Sequence, residues 1–255
     1  MPAAELSGAE LSVTDLSVSF GRVQALDGVS LSFRPGRLFG VMGPNGAGKT
    51  TLLNALTGAV RPSGGQVWLG ERRIDSLSPW KRREAGIART FQRCELVPDL
   101  SVEENVLIGA HPRLRLVDEL FHRSGAVRAE MVEWLDRFGI GPELWPVPVA
   151  TLPYGWQRRV EIVRALVAGP DFLLLDEPVA GMNPDESLEL GALVQGWVES
   201  TGRGAVLVEH DVDLVAEICD EVHVLDFGRL IASGTPEQVL AHPAVVEAYL
   251  GVGAV

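Results

Sequence analysis

Eight consecutive residues, GPNGAGKT at positions 43–50, carry the chemistry that the sequence indicates most clearly. They follow the apolar run RLFGVM and precede TLLNALTGAV, whose apolar residues have helical spacing. Strand, loop and helix therefore succeed one another as the pattern G-x-x-x-x-G-K-[ST] requires, which disfavours a chance Gly-rich turn. Glycines let consecutive backbone N–H groups surround phosphate oxygens at a helix N-terminus. Lys49 is expected to reach the β- and γ-phosphates, and the Thr50 hydroxyl to ligate Mg²⁺.

Two adjacent acids, Asp176 and Glu177, end the apolar run FLLLDEP, which reads as a buried strand. Asp176 is expected to hold Mg²⁺ directly or through water. Glu177 is placed to polarise the attacking water as a general base. The alternative is a strand end that carries two solvated acids, and the complete phosphate loop disfavours it. Together the two motifs indicate a nucleoside triphosphate hydrolase.

The elements that must position these residues alternate between strand and helix at both ends of the chain. Residues 11–42 and the chain after Pro170 show this alternation, and the stretch between them is mostly helical. Ser101 with Glu104 predicts a capping box. Asn183 as N-cap with Pro184 predicts a second helix start. The pattern predicts an α/β core that carries a small α-helical subdomain at roughly residues 95–168.

The composition limits the class of protein. At 255 residues with 46% hydrophobic residues, the chain can bury a substantial core. No run approaches the ~18 apolar residues of a membrane-spanning helix, and the start, MPAAELSGAE, lacks the features of a secretion signal. Cys94 and Cys219 are too few for a disulfide framework and suggest reduced thiols in a cytosol. A net charge of −12 argues against nucleic-acid binding. The basic run KRRE at 81–84 is interpreted as a solvated helix face.

Three further motifs narrow the family. Gln92 lies in RTFQ, LPYGWQRRVEIVRAL directly precedes the acidic strand, and His210 ends the next strand in VLVEHD. This order resembles the ATP-binding cassette (ABC) ATPases, the ATPase subunits of ABC transporters, over nearly the whole chain. The resemblance implies one ABC ATPase domain over residues 1–255, with a P-loop NTPase core, an antiparallel β subdomain and the inserted helical subdomain. It also implies ATP and Mg²⁺ as cofactors, with the phosphates held by Gly43, Pro44, Asn45, Gly46, Ala47, Gly48, Lys49, Thr50 and Thr51.

The resemblance also implies roles for three single residues. Gln92 resembles the glutamine that senses Mg²⁺ and the catalytic water while it contacts the membrane partner. His210 resembles the histidine that touches the γ-phosphate, the alternative being a histidine hydrogen-bonded at a strand end. Phe20 resembles the aromatic residue that stacks on adenine, the alternative being an ordinary core aromatic.

The stretch LPYGW at 152–156 occupies the position of the family signature LSGGQ. In the family this signature begins a helix that faces the ATP bound by the other cassette of a dimer. Leu152 and Gly155 match it, whereas Pro153, Tyr154 and Trp156 replace Ser, Gly and Gln. Gly155 and the following N–H groups can still face a γ-phosphate, but the serine hydroxyl is lost. Relatives in one importer subfamily read LPYGQQRR or LSYGQQRR, so Pro153 and Tyr154 resemble features of that lineage. Trp156 either packs against the partner chain or fills a gap at the helix start.

Other segments resemble one subfamily, the importers of branched-chain amino acids and related small solutes. They are EPVAGMNPDE, GIARTFQ, EICDEVHVLDFGRLIASGTPEQVL and the terminal HPAVVEAYLG. In this subfamily two distinct cassettes commonly pair, and the chain resembles the larger one, so a heterodimer is favoured over a homodimer. The implied partners are transmembrane permease subunits and, indirectly, a solute-binding protein. The implied location is cytoplasmic, peripheral on the inner face of the cell membrane.

Other functions stay open at this point. A urea-type importer or a lipopolysaccharide-type extraction ATPase has a similar cassette. A soluble ABC ATPase of translation or DNA repair fits less well, because such proteins usually carry tandem cassettes or a long coiled-coil insert. A regulatory nucleotide switch fits poorly with the complete set of Lys49, Asp176, Glu177 and His210.

Overall fold

The computed structural model describes residues 8–90, 92, 94–110 and 123–250. Some of the predictions concern residues outside these ranges. These residues are the N-terminal start up to residue 7, Phe91, Arg93, residues 111–122 of the predicted helical region, and Gly251. The strands, in chain order, are β1 (Leu11–Phe20), β2 (Val23–Phe33), β3 (Leu38–Met42), β4 (Gly64–Leu69), β5 (Arg72–Arg73), β6 (Ile87–Arg89), β7 (Phe172–Asp176), β8 (Gly204–Val208), β9 (Glu221–Asp226) and β10 (Arg229–Gly234). The α-helices are α1 (Lys49–Thr57), α2 (Pro79–Glu84), α3 (Val102–Ala110), α4 (Arg123–Arg137), α5 (Tyr154–Leu166), α6 (Pro184–Thr201), α7 (Val212–Ile218), α8 (Pro236–Leu240) and α9 (Pro243–Leu250).

The described strands form two sheets. The smaller one is antiparallel, in the order β2-β1-β4-β5. The larger one has the order β10-β9-β3-β8-β7-β6, in which β9, β3, β8, β7 and β6 run parallel and β10 is an antiparallel edge. The predicted α/β class with an antiparallel β subdomain is confirmed.

The buried strand β7 contributes side chains to two apolar clusters, one on each face of the larger sheet. All five of its residues are buried, as in a parallel sheet covered on both faces. Because side chains alternate across a strand, Leu173 and Leu175 join one apolar cluster and Phe172 and Leu174 the other. The first cluster continues into helices α3, α4 and α5, and the second into α1 and the antiparallel sheet. Both peripheral regions are therefore packed directly on the central sheet.

The predicted helix starts are confirmed by their caps. Ser101 Oγ accepts from Glu104 N at 3.2 Å, and Glu104 Oε2 accepts from Ser101 N at 2.8 Å. Asn183 and Glu186 form the same reciprocal pair at α6, with Pro184 in the first turn. Helices α3, α4 and α5 lie inside the predicted helical region, whose boundaries at 95 and 168 stay a prediction.

Cys94 and Cys219 are free thiols in the structure. Burial raises the pKa of Cys94 to about 11, and it raises the pKa of Cys219 still further. Both side chains are therefore neutral thiols at physiological pH. Among the helices that the structure describes, none combines the length and apolar character needed to cross a bilayer.

Arg82 corrects the interpretation of KRRE as a solvated helix face. Lys81 and Glu84 are exposed as expected, but Arg82 is only 1% exposed. Its guanidinium donates to the carbonyl oxygens of Ala55 and Leu56 in the last turn of α1, and also to those of Leu77 and Asp75. Helix C-terminal carbonyls lack partners within their own helix, and a buried guanidinium can satisfy several at once. Arg82 therefore joins α2 to the end of α1.

We expect Arg82→Met to lower the free energy of unfolding by about 1–3 kcal/mol, because it leaves buried carbonyl groups without donors. Lys81→Met, at the exposed neighbouring position, is the matched control and is expected to change stability by less than ~0.5 kcal/mol. Urea titration of both variants measures this. Equal stabilities would show that the carbonyl contacts of Arg82 contribute nothing.

Candidate ATPase site

Four adjacent strands deliver the predicted motifs to one edge of the larger sheet. The order β3-β8-β7-β6 is parallel throughout, so the carboxyl ends of all four strands meet at the same edge. Residues 43–50 follow β3, His210 follows β8, Asp176 and Glu177 lie at the end of β7, and Gln92 follows β6. Ligand sites of open α/β sheets lie outside such carboxyl ends. The structure therefore brings the predicted catalytic residues together.

The phosphate loop has the backbone that its glycines permit. Gly46 and Gly48 have φ values of 82° and 105°, in the left-handed region where a side chain is strained. Gly43 passes so close to β9 that a Cβ would lie 2.1 Å from Leu225 O. Helix α1 begins at Lys49 with no side-chain cap on its first N–H groups. The loop thus presents backbone donors and a helix N-terminus, the arrangement that binds phosphate.

The Lys49 ammonium lies within this loop. Its Nζ donates to Gly43 O at 2.6 Å and to Pro44 O at 3.0 Å, and the residue is 7% exposed. Burial lowers its pKa, although the nearby carboxylates of Glu177 and Asp176 oppose that shift. A poorly solvated cation next to an uncapped helix N-terminus favours a polyanionic ligand.

Asp176 is buried, so the alternative of two solvated acids is wrong for it. Its Oδ2 accepts from Arg89 Nη2 at 2.7 Å, and Arg89 Nη1 donates to Asn54 Oδ1 at 2.5 Å. Both side chains of the ion pair are less than one tenth exposed. Arg89 was not among the predicted site residues; its only signal was its place at the end of the short strand before Gln92.

Glu177 lies one residue further on, in a strained conformation. Its φ of 47° is left-handed, which is uncommon for a residue other than glycine and recurs at functional sites. Its N donates to Val208 O at 3.0 Å, and its Oε2 accepts from Gln92 Nε2 at 2.8 Å. The predicted base and the predicted sensor glutamine are thus in direct contact.

His210 projects into solvent beside a buried acid. Its side chain is 66% exposed, and its Nδ1 lies 3.7 Å from Glu209 Oε2, beyond hydrogen-bond distance. Glu209 is fully buried and accepts from the N–H groups of Val179 and His210. Burial raises the pKa of Glu209 above its ordinary value. Sequence reasoning missed Glu209, whose signal was an acid directly after the apolar run of β8.

Phe20 is 52% exposed at the end of β1, so the core alternative for this residue is wrong. It precedes the turn into β2, and β2 reaches the phosphate loop: a Cβ on Gly48 would lie 2.6 Å from Ala25 O. An exposed aromatic ring at this end of the antiparallel sheet is available for stacking.

The predicted metal ligands offer oxygen atoms only. Thr50 contributes a hydroxyl, Gln92 an amide oxygen and Asp176 a carboxylate, which are the donors that Mg²⁺ prefers. The described residues contain no group of three or more His, Cys, Asp or Glu side chains that could hold a metal by themselves. The residues therefore fit Mg²⁺ bound together with phosphate oxygens.

The altered signature starts α5. Leu152 is buried, and Pro153 is the N-cap with no side-chain hydrogen bond to the helix. Tyr154 is 41% exposed, and its hydroxyl accepts from Arg158 Nε at 2.9 Å. A Cβ on Gly155 would make only ordinary contact with Met182, at 3.6 Å. The first turn of α5 is therefore open to solvent on the Tyr154 side.

A buried arginine joins this helix to the segment after β6. Arg158 Nη1 donates to Glu161 Oε2 at 2.7 Å, and Arg158 Nη2 donates to Gln92 O. Both ionic side chains are 1% exposed. The ion pair lies within α5, and the bond from Arg158 to Gln92 O holds this helix against the segment that follows β6.

Trp156 packs within its own chain. The guanidinium of Arg159 lies 5.0 Å above the centre of its ring, and the ring contacts the apolar cluster of the helical region. Arg159 also donates to Phe138 O at 3.1 Å and pairs with Glu189 at 2.6 Å. The ring thus has partners at the helix start, and whether it also contacts a partner chain stays a prediction.

The comparisons with known proteins agree with this geometry. Residues 26–180 match the family profile described as ABC transporter. The chain belongs to the ABC transporter ATPase family. It is 38% identical over 249 residues to the high-affinity branched-chain amino acid transport ATP-binding protein LivG of Escherichia coli (strain K12), covering 94% of this chain and 97% of LivG. BraF of Pseudomonas aeruginosa, with the same description, is 37% identical over the same shares.

A solved structure and a second family profile extend these comparisons. The solved ADP conformation of MJ1267, an ATP-binding cassette of an ABC transporter, has a TM-score of 0.84 and 29% identity over 95% of this chain and 99% of that one. Residues 229–255 match the profile described as branched-chain amino acid ATP-binding cassette transporter. The ABC ATPase fold thus accounts for both sheets, and the chain is the ATP-hydrolysing subunit of an ABC transporter.

We expect Trp156→Gln to destabilise the cassette by about 1–2 kcal/mol through loss of the cation–π contact and packing. Arg159→Met should cost a similar amount, and the double variant should be less destabilised than the sum of the two, as expected for groups in contact. Thermal or urea unfolding of the three variants measures this coupling. If Trp156→Gln keeps full stability but impairs ATP hydrolysis, the ring acts across the dimer instead.

Proposed function

We propose that this ABC ATPase drives the import of a branched-chain amino acid or a similar small solute, from the inner face of the cell membrane. The observation that carries the proposal is the C-terminal match at residues 229–255, described as belonging to branched-chain amino acid cassettes. The share of each relative's length that this chain matches also supports the proposal. Branched-chain relatives are matched over 97% of their length, whereas the arabinose import protein AraG of Azospirillum brasilense is matched over only 42% of its length.

We infer the binding roles from the site described above. The backbone N–H groups of residues 43–51 and the Lys49 ammonium hold the triphosphate, and Phe20 stacks on the adenine. Thr50, Gln92 and Asp176 hold Mg²⁺, which screens the phosphate charge and orients the γ-phosphate when bound. Arg89 Nη2 donates to Asp176 Oδ2 at 2.7 Å and so orients the carboxylate.

Glu177 is the proposed general base. Its carboxylate takes a proton from water as the water oxygen bonds to the γ-phosphorus and the bond to the ADP oxygen breaks. Gln92 donates to this carboxylate at 2.8 Å and so orients it. His210, exposed at the same sheet edge, contacts the γ-phosphate as the proposed second polar group. Positioning and charge stabilisation supply most of the catalysis in phosphoryl transfer.

We propose that the second ATPase subunit is a different chain. The exposed first turn of α5 faces the nucleotide of that partner, with Gly155 and the following N–H groups as donors. Pro153 cannot supply the hydroxyl of the usual serine, and a hydrogen bond to a charged oxygen contributes about 1.5–3 kcal/mol. A heterodimer can tolerate one weaker ATP site, so the altered signature supports unequal partners.

We propose that a transmembrane permease docks in a groove whose lining includes Arg89 and Glu95, the residues three positions before and after Gln92. It has a volume of 440 Å³ and lies between α2, β6, α3 and α5. Its lining includes Trp80 and Ile108, which are 48% and 42% exposed, together with Arg83, Glu95 and Arg164. Large exposed apolar side chains among charges are typical of a protein-binding site. Arg164 Nη1 donates to Glu95 O at 2.7 Å, which connects the groove to the segment that follows Gln92.

We expect Glu177→Gln to retain ATP binding and to lower the hydrolysis rate by at least about 100-fold, the usual contribution of a general base. Glu199→Gln, an exposed acid near the end of α6, is the control and should hydrolyse ATP at the rate of the unsubstituted chain. Equilibrium ATP binding and phosphate release measure the two quantities. Turnover near that of the unsubstituted chain in Glu177→Gln would remove Glu177 as the base.

We expect cells that depend on this chain to take up radiolabelled leucine, isoleucine or valine, and to lose that uptake in the Glu177→Gln strain. Unlabelled branched-chain amino acids should compete for the uptake. Urea uptake that follows the same variant would favour a urea-type importer. Loss of lipopolysaccharide delivery with unchanged solute uptake would favour an extraction ATPase.

A further inference from the structure

The C-terminal helix α9 reaches the phosphate loop through one tyrosine. The hydroxyl of Tyr249 accepts a hydrogen bond from Gly43 N at 3.0 Å. The ring is partly buried against the apolar cluster that includes the helical region, and burial raises the pKa of the phenol. The hydroxyl is therefore neutral at physiological pH and remains a stable acceptor for a backbone N–H.

The bonded peptide is the one at which the strand turns into the loop. Gly43 is buried, and its carbonyl oxygen accepts from Lys49 Nζ at 2.6 Å. Its N–H and C=O are thus held by Tyr249 on one side and by the proposed phosphate-binding lysine on the other. Because a Cβ at Gly43 would collide with Leu225 O, the backbone has little room to take another path.

The rest of α9 stands away from the loop. A cavity of 620 Å³ lies between them, lined by residues 44–47 on one side and by Ala244, Glu247 and Ala248 on the other. The helix is anchored elsewhere, by Val245, which is 3% exposed and belongs to the apolar cluster that includes the helical region. Tyr249 therefore spans from a separately anchored helix to the first peptide of the loop.

We propose that Tyr249 is a positioning residue for nucleotide binding, whose hydroxyl holds the Gly43 peptide in the conformation that receives the phosphates. This inference rests on the proposed phosphate-binding role of residues 43–51. A contact that preorganises the loop acts on ground state and transition state alike, so it affects affinity and KM rather than kcat. By linkage, bound nucleotide must strengthen the attachment of α9 to the same degree.

The test is Tyr249→Phe, which keeps the ring and removes only the acceptor. We expect the Kd for ATP, measured in the Glu177→Gln background, and the Kd for ADP to rise together by about three- to tenfold, the equivalent of one net hydrogen bond. We expect kcat to stay within about twofold. Amide hydrogen exchange at Gly43 should become faster. Val246→Ala, at a 42% exposed position of the same helix, is the control and should change none of these quantities.

Two results would overturn the inference. A lower Tm with unchanged Kd values and unchanged Gly43 exchange would give Tyr249 a purely structural role. A loss of kcat with unchanged Kd would place its effect in the chemical step. If the unsubstituted chain fails to bind ATP, the proposed phosphate-binding role of residues 43–51 is itself wrong. This failure is distinguishable from a failure of the Tyr249 inference, because it is seen before any residue is substituted.

Discussion

The parallel pairing of β3, β8, β7 and β6 is the constraint on which the site depends. Each strand carries one of the proposed catalytic elements at or shortly after its carboxyl end, and the elements meet because all four strands point the same way. Side chains alternate between faces along a strand, so a shift of one residue in β7 would exchange its two buried faces. The apolar clusters on both sides of β7 fix the register and thereby place Asp176 and Glu177.

The same edge gathers ionisable side chains whose burial would be unfavourable without polar partners. Lys49, Asp176 and Glu209 are all less than one tenth exposed, and each has polar partners: loop carbonyls for Lys49, Arg89 for Asp176 and two backbone N–H groups for Glu209. Buried polar groups that are already paired need little reorganisation when charge develops, which is the basis of electrostatic catalysis. Arg158 links this edge to α5, the helix that begins with the altered signature, because its guanidinium donates both to Glu161 Oε2 and to Gln92 O.

Local patterns in the sequence were enough for the α/β class, the phosphate loop, the acidic strand and the helix caps. Each of these is encoded by residues within a few positions of one another. Arg89, Tyr249 and Glu209 were missed because each has a partner far away in the chain: Arg89 bonds Asp176, Tyr249 bonds Gly43, and Glu209 accepts from Val179 N. Arg82 looked solvated because only tertiary packing covers it. The contact between Trp156 and Arg159 could have been predicted from the sequence, since Arg159 is at the i+3 position of the same helix.

We propose that this ATPase edge serves a membrane importer together with an unlike second cassette. The most direct measurement is purification of the Glu177→Gln chain from detergent-solubilised native cells with ATP and Mg²⁺, with the partners identified by mass spectrometry. We expect polytopic permease subunits and a second, different cassette in the purified complex. Recovery of soluble partners alone, such as ribosomes or DNA-repair proteins, would contradict it.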